Sequence, residues 1–367
     1  MKASCVREKL KNAVQLVERA TGKNLSLAVL SSVLIVAEKD QLVLKATNLD
    51  IGTEVVVPAK VEAEGSVAVS GSVLGNFLGT VGDMHSITLE SVNDNLYLSS
   101  EHHSTLLKSF PVGDFPTIPR ITDGGSFEIS ADQFVLGLRS VLYSASLSDI
   151  KPEIASIYLY GDTKSAVFVA TDSFRLAEKK VLVGDSAPTI PPVLIPLKNA
   201  TEIARVFDGI KSDVLIVCNK NQISFSAEGV YLTSRLVSGT FPNYRQLLPA
   251  SQKTLVSVEK KQLVASLKLA QIFSDKFNQV TFKVIPSDQL FEVGSRNTET
   301  GENTTKLEAT FDGEEIEMHF NVKYILDCFQ SMPEDTVSLR FNGPGRPMIL
   351  QGAGNSSFVY LVMPMNK

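Results

Sequence analysis

Ala166-Val167-Phe168-Val169-Ala170-Thr171-Asp172 reads as an apolar strand that runs into a polar turn. The same reading fits Leu42-Val43-Leu44 followed by Ala46-Thr47-Asn48, with Ala46 standing 124 residues before Ala170. Other landmarks return at nearly the same interval. Phe115-Pro116 recurs as Phe241-Pro242, 126 residues on. Val67-Ala68-Val69-Ser70, Val193-Leu194-Ile195-Pro196 and Met318-His319-Phe320-Asn321 each precede a helix-like stretch, at spacings of 126 and 125. One interval, about a third of the 367-residue chain, explains all of these landmarks and predicts a threefold internal repeat.

Each repeat opens with a short strand and an amphipathic helix. Leu10, Ala13, Val14, Val17 and Ala20 form the apolar stripe in the first. Phe134, Leu138, Val141, Leu142 and Ala145 form it in the second, and Leu263, Leu267 and Ala270 in the third. Asp132 and Glu259 sit where the first turn of a helix favours acid. A second helix is predicted in mid-repeat, over Ser72–Val81, Leu197–Phe207 and Val322–Met332. The remainder alternates like strands: Ser86–Ser91 and Asn95–Ser99 flank a turn at Val92-Asn93-Asp94. The fold class is therefore α+β, with two helices per repeat on antiparallel sheet. Proline and glycine gather in Pro111–Ser126 and in Gly239–Thr254, which places the domains at 1–123, 124–252 and 253–367.

Composition is that of an ordinary globular chain, 44% hydrophobic and 20% charged, so a core of good size is available. A formal charge of −5 excludes a bulk-basic nucleic-acid binder. Cys5, Cys218 and Cys328 are odd in number and far apart, which points to neither a disulfide framework nor a zinc site, and fits a reducing compartment. The first residues carry Lys2, Arg7, Lys9 and Lys11 without the apolar run of a signal peptide. The most apolar window, Leu25–Ala37, is too short to span a bilayer. The expectation is a cytoplasmic protein with no membrane partner, in which the sequons at Asn24, Asn303 and Asn355 are chance matches.

No catalytic pattern emerges. Phosphate loops, dinucleotide-binding glycines, metalloprotease histidines and nucleophile elbows are all missing from the sequence. Gly352-x-Gly354 reads as a turn, His102-His103 as an exposed strand end, and Glu314-Glu315 as solvated turn residues. No metal or cofactor is implied. Positive charge instead concentrates on the helices: residues 7–23 carry net +3, 259–277 net +2 and 197–212 net +1. Basic faces at equivalent places of a repeat suggest a shared anionic partner.

Three motifs in order, Ala170-Thr171-Asp172-Ser173-Phe174-Arg175-Leu176-Ala177, Phe241-Pro242-Asn243-Tyr244-Arg245 and Met363-Pro364-Met365, resemble the bacterial DNA polymerase III beta subunits, the sliding clamps. The resemblance runs the length of the chain. It implies three clamp domains that pair head to tail with a second copy into a dimeric ring, with helices lining a hole for duplex DNA. It also implies a non-enzymatic processivity factor that tethers the DNA polymerase III catalytic subunit, repair polymerases and other clamp-binding-motif proteins, and that a clamp loader places on DNA.

The resemblance carries over a partner-peptide pocket. Ile154, Thr171, Ser173, Phe174, Arg175 and Leu176 come from the second domain, and Pro242, Gln246 and Leu247 from the connection. Arg346, Pro347, Met348, Leu361, Val362, Met363, Pro364 and Met365 come from the third. Methionines adapt to varied apolar side chains, and Arg175 is suited to peptide carbonyls. For the dimer interface it implies Leu107 in the first domain and Ile272-Phe273 in the third. Lys23, Lys198 and Arg205 are the candidates for facing DNA. Gln246 and Asn366 stand where relatives often carry arginine, and Thr105 where an aromatic is usual. The acidic cluster is thinned, with Glu299 and Glu302 followed by Asn303-Thr304-Thr305-Lys306. The alternative reading is a monomeric three-domain adaptor that binds peptides without encircling DNA.

Overall fold

Alternating apolar side chains make strands, and a run with helical periodicity interrupts them at fixed places. The computed structural model of the chain describes residues 1–22, 27–82, 85–184, 190–248 and 252–365. The first repeat holds β1 (Lys2–Val6), α1 (Arg7–Glu18), β2 (Ser32–Glu38), β3 (Gln41–Thr47) and β4 (Ile51–Ala63). It continues with β5 (Gly65–Ser70), α2 (Gly71–Thr80), β6 (Ser86–Val92), β7 (Asn95–Ser99), β8 (Ser104–Leu107) and the short β9 (Ser109–Phe110).

The second repeat follows the same order. Its first half is β10 (Gly125–Ser130), α3 (Ala131–Arg139), β11 (Ser156–Asp162), β12 (Ser165–Thr171) and β13 (Arg175–Leu182). Its second half is β14 (Val193–Pro196), α4 (Leu197–Val206), β15 (Asp213–Cys218), β16 (Gln222–Ala227) and β17 (Val230–Arg235). The third opens with β18 (Thr254–Glu259), α5 (Lys260–Ile272), β19 (Gln279–Ile285), β20 (Leu290–Asn297), β21 (Gly301–Leu307) and β22 (Ala309–Gly313). It closes with β23 (Ile316–Asn321), α6 (Val322–Cys328), β24 (Thr336–Phe341), β25 (Met348–Gly352) and β26 (Phe358–Val362). A strand, a helix and three strands thus recur six times.

Within every repeat the two halves exchange strands antiparallel and reciprocally: β1 with β6 and β2 with β5, β10 with β15 and β11 with β14, β18 with β24 and β19 with β23. Successive repeats are joined by their main chains. β4 pairs with β17, and β13 pairs with β26. In consequence the chain forms two compact units that do not follow the repeat boundaries. One comprises Met1–Phe134, Val183–Pro191 and Thr201–Leu236, and the other Val135–Leu182, Pro192–Ala200 and Val237–Lys367. The middle repeat gives four strands to each.

Aromatic residues fill both interiors. In the first unit Phe134 lies 5.1 Å from Phe225 and 6.1 Å from Phe207, ring centre to ring centre. In the second Phe282 lies 5.6 Å from both Phe291 and Phe320. All of these rings are fully buried. The three cysteines are buried and unpaired. Burial pushes the Cys5 thiol up to about 12 and Cys218 to about 11, so neither is a thiolate at neutral pH.

Two helices are shorter than their sequence pattern predicts. The second repeat's stripe ends at Arg139, because the Ser140 hydroxyl bonds back to the Leu136 carbonyl at 2.7 Å and Leu142–Ser144 tightens into a 3₁₀ turn. Ala145 is still buried, outside the helix. The helix predicted over Val322–Met332 ends at Cys328, with a 3₁₀ turn at Phe329–Ser331. Met332, before Pro333, is extended as a residue preceding proline tends to be.

Gly137 inside α3 has a packing reason. A Cβ there would stand 2.5 Å from the Phe168 ring. Helix propensity alone would favour alanine by about 1 kcal/mol, against an overpacking cost of about 3 kcal/mol. The G137A variant is therefore expected to lose about 2 kcal/mol, read as a lower urea midpoint at unchanged slope.

Candidate functional site

The repeated Thr-Asn and Thr-Asp turns share one hydrogen-bond plan. At the first, the Thr47 hydroxyl donates to the Ile51 carbonyl at 2.8 Å and accepts the Leu49 amide at 3.0 Å. Asn48 Oδ1 accepts the amides of Asp50 and Ile51. At the second, Thr171 donates to the Arg175 carbonyl at 2.6 Å and accepts the Ser173 amide at 3.1 Å. Asp172 Oδ1 accepts the amides of Phe174 and Arg175. Leu49 and Ser173 both take positive φ, +80° and +78°. Threonine and a short side-chain acceptor are what such a turn requires.

This second turn opens β13 against β26, with Arg175 opposite Val362 and Leu176 opposite Leu361. Met348 lies opposite Val362 on the other side. The Met363 amide donates to the Phe174 carbonyl at 2.8 Å, and the Met365 amide to the His319 carbonyl at 2.8 Å. The chain from Met363 to Met365 is thus pinned at both ends. Leu176 and Leu361 form a buried floor with Phe241 and Tyr244, with Met363 packed against it. Thr171, Met348 and Val362 are also buried, whereas Phe174 is 60% exposed. Ser173, Pro242, Gln246, Leu247 and Arg346 are exposed, and Pro347 and Pro364 half-buried. Ile154 is buried in the turn before β11, and its amide bonds to Lys151. Asn366 lies outside the described residues.

Arg175 is engaged by its own chain. Nε donates to Asp172 at 2.9 Å and Nη1 to Asp327 at 2.5 Å, and the guanidinium lies 4.5 Å over the Tyr324 ring. Burial alone would lower its pKa, but Tyr360, Asp327 and Asp172 together raise it. Much of the fork expected to reach peptide carbonyls therefore braces the turn against α6. Asp327 and Tyr324 had no sequence signal, since they stand some 150 residues away in the chain.

Below the floor runs a polar chain. Arg245 donates to the Tyr160 hydroxyl at 3.0 Å, Tyr160 and Tyr244 share a 2.8 Å hydrogen bond, and Tyr244 donates to the buried Glu178. Burial and the Glu178 carboxylate raise the Tyr244 pKa, so it stays a donor. Tyr158 stacks on Phe241 at 4.8 Å, which holds the Phe-Pro element in place.

The other sequence-derived candidates fall elsewhere. Ile272 ends α5 and is 65% exposed, and Phe273 caps that helix. A Cβ on Gly301 of β21 would lie 4.0 Å from the Phe273 ring, so this helix end borders β21. On β8, Leu107 is 8% exposed in the single chain, and its neighbour Leu106 is 47% exposed, as side chains alternate along a strand. Lys198 and Arg205 are exposed on α4, but each has a carboxylate: Lys198 bonds Asp149 at 2.9 Å, and Arg205 bonds Glu202 at 2.5 Å. Lys23 lies outside the described residues. Lys9, Lys261 and Lys268 are exposed on α1 and α5, with no ion pair to another described residue. Among the described residues no cluster of three metal-ligating side chains forms, and no helix is long and apolar enough to cross a membrane.

Removing the Tyr244 hydroxyl takes a donor from Glu178 and a partner from Tyr160. The Y244F variant is expected to lose about 1–3 kcal/mol in denaturant unfolding, the cost of an under-satisfied buried polar group.

Comparison with known proteins accounts for nearly the whole chain. The family model of the DNA polymerase III beta subunit N-terminal domain matches residues 1–119, that of the central domain 128–243, and that of the C-terminal domain 245–366. The beta sliding clamp of Synechococcus elongatus is 26% identical, over 100% of this chain and 99% of its own. That of Bacillus subtilis is 25% identical, at the same coverage. The crystal structure of the Bacillus subtilis DNA polymerase sliding clamp superimposes with a TM-score of 0.94 at 24% identity, covering 100% of this chain and 99% of that one. With three consecutive domain models accounting for it from end to end, the chain belongs to the DNA polymerase III beta subunit family, the bacterial sliding clamps.

Proposed function

We propose that this protein is a DNA sliding clamp: a non-enzymatic processivity factor in the cytoplasm that encircles duplex DNA and tethers polymerases to it. One topological observation carries the reading. The fourth strand of the first repeat, β4, pairs with the last strand of the second, β17. The fourth strand of the second, β13, pairs with the last of the third, β26. The fourth strand of the third, β21, is an open edge, and so is β8, the equivalent strand of the first. A second copy can satisfy both edges by pairing β21 with its β8 and the reverse, head to tail. Six clamp domains, taken at 1–123, 124–252 and 253–367 in each chain, then close a ring. Two open edges with exposed Ile272 and Leu106 beside them count against the monomeric adaptor.

In this reading DNA is held by topology. The basic helix faces only ease its passage. Lys198 and Arg205 reach phosphate by exchanging their own carboxylates for it, and Lys23 is proposed with them. Each phosphate neutralised contributes about −0.9 to the log–log salt slope, so few contacts mean weak, sequence-independent direct affinity. The groove over Leu176 and Leu361, walled by Phe174, Pro242, Leu247 and Met363–Met365, takes extended peptides with a glutamine and a hydrophobic end. Such peptides belong to the DNA polymerase III catalytic subunit, the clamp loader and other clamp-binding proteins. No cofactor or metal enters this function.

The ring is tested on nicked circular DNA. Loaded protein should survive a high-salt wash and slide off once the circle is cut. Stripping by salt, or indifference to linearisation, would refute encirclement. The double variant I272D/F273D should sediment as a monomer and fail to be retained, and a double variant that stays dimeric would move the interface elsewhere. For the groove, two or three buried apolar anchors provide about 3–9 kcal/mol before ordering costs, consistent with a micromolar Kd, about −8 kcal/mol. Deleting residues 363–367 should abolish peptide binding by calorimetry and leave the dimer intact.

A further inference from the structure

The joint between β4 and β17 carries a cleft of about 290 Å³ that the function above does not use. It is lined by the turn Thr47–Gly52, by Pro116, Thr117 and Pro119, and by Gln222, Thr233 and Arg235. Its place in the repeat is the place of the proposed peptide groove. Ile51 lies opposite Ser234 as Arg175 lies opposite Val362. The Arg235 amide donates to the Asp50 carbonyl at 2.8 Å, as the Met363 amide donates to Phe174. Pro116 repeats as Pro242, and Ile223 lies opposite Ser234 as Met348 lies opposite Val362, so Gln222, opposite Arg235, takes the place of Pro347. The backbone of the groove is therefore present twice in each chain.

The side chains are not. Where the groove has Phe174, Met363, Pro347 and Leu361, the cleft has Asp50, Arg235, Gln222 and Thr233. Where the groove has Ser173 and Arg175, the cleft has Leu49 and Ile51. Gly52 replaces Leu176, and the space is taken by Ile118, which a Cβ on Gly52 would approach to 2.9 Å. The hydrophobic anchor sites are thus gone, and a peptide chosen for its apolar end gains little here. What the cleft offers is an exposed guanidinium, the partly exposed amide of Gln222 on the neighbouring strand, and an aliphatic lip at Leu49, 43% exposed, against stiff prolines; Thr233 is buried, its hydroxyl donating to the Ile223 carbonyl. A guanidinium fork matches a carboxylate. The Gln222 amide, which both donates and accepts, matches the main chain of an extended segment. Asp50 disfavours a run of carboxylates.

We infer that the β4–β17 cleft is a second peptide-binding site, selective for an extended segment with a single acidic residue between aliphatic ones. The inference rests on the proposed groove only for the equivalence of position. The carboxylate meets Arg235, and a neighbouring aliphatic side chain packs on Leu49 and Pro116.

The test uses the full-length protein and hydrogen–deuterium exchange with acetyl-Ser-Leu-Glu-Ile-Ser-amide at millimolar concentration. Protection is expected in residues 47–52 and 233–236. The glutamine counterpart, acetyl-Ser-Leu-Gln-Ile-Ser-amide, should bind at least tenfold more weakly. R235E and L49D, both at exposed side chains, should each weaken the acidic probe at least tenfold and leave the dimer intact. No protection by the acidic probe, protection confined to 171–176 and 361–365, or undiminished binding by R235E overturns the inference. A hydrophobic-ended peptide run in parallel reports on the groove: its protection of 171–176, lost on deleting 363–367, stands or falls independently of the cleft.

Discussion

Strand edges govern this molecule. A β-sheet that stops exposes a row of unpaired amides and carbonyls, and such a row is costly to bury and hazardous to expose. Among the described strands, each repeat leaves one such row on its fourth strand and another on its last, beside further edges at β10, β14, β22 and β23. Twice the chain resolves the problem internally, at β4 with β17 and at β13 with β26. Among the described residues, the third pair, β21 and β8, has no internal partner. Oligomerisation is then the same interaction used a third time, between copies. The two compact units follow from the same pairing, because backbone hydrogen bonds tie each half of the middle repeat to its neighbour more closely than sequence order would suggest.

The pairing also explains why binding clefts arise where they do. To enter the joint, β4 and β13 must each begin abruptly after the preceding hairpin strand. The turn that allows this uses a threonine hydroxyl, an Asn or Asp oxygen and one residue at positive φ. Such a turn leaves side chains at the joint's end without a neighbouring strand to cover them. At β13 those side chains are apolar and rest on the Tyr244–Phe241 floor. At β4 the chemistry is mixed, with Asp50 and Arg235 beside Leu49 and Ile51. One backbone solution has thus been given two chemistries, and the difference lies in a few side chains that bear no load in the sheet.

The repeat, the fold class and the order of elements were legible because periodicity and turn chemistry are local. The runs ending at Ser70 and Asn321 are followed by helices, as the sequence suggests, and both side chains accept the amides of a helix N-terminus. Boundaries were read less well where hydroxyl and proline effects ended helices early, after Arg139 and Cys328. Long-range polar pairing was not legible. Nothing near Arg175 in the sequence announces Asp327, and nothing near Tyr244 announces Glu178. β8 is only four residues long, too short for its alternation to be phased from sequence, so the exposure of Leu106 was not legible. The cleft at Arg235 has no sequence signal, because its residues are chemically ordinary and its equivalence to the groove lies in strand register.

The acidic net charge of −5, at first an argument against DNA, becomes intelligible once retention and affinity are separated. A protein that binds by charge must keep its cations free. Here Arg19 and Arg205 both approach Glu202, and Lys198 is held by Asp149. Such exposed pairs are worth little to stability. If these faces meet DNA as proposed, the pairs lower the potential that a phosphate backbone meets. A clamp that gripped phosphate firmly would stall, since each step along the duplex would break charge-assisted contacts before making new ones. In the proposed ring, partial self-neutralisation of the helix faces would permit sliding, and the strength needed to stay on DNA would lie in the proposed β21–β8 interface. Retention then depends on how rarely that interface opens, a property set by backbone pairing and the apolar side chains beside it.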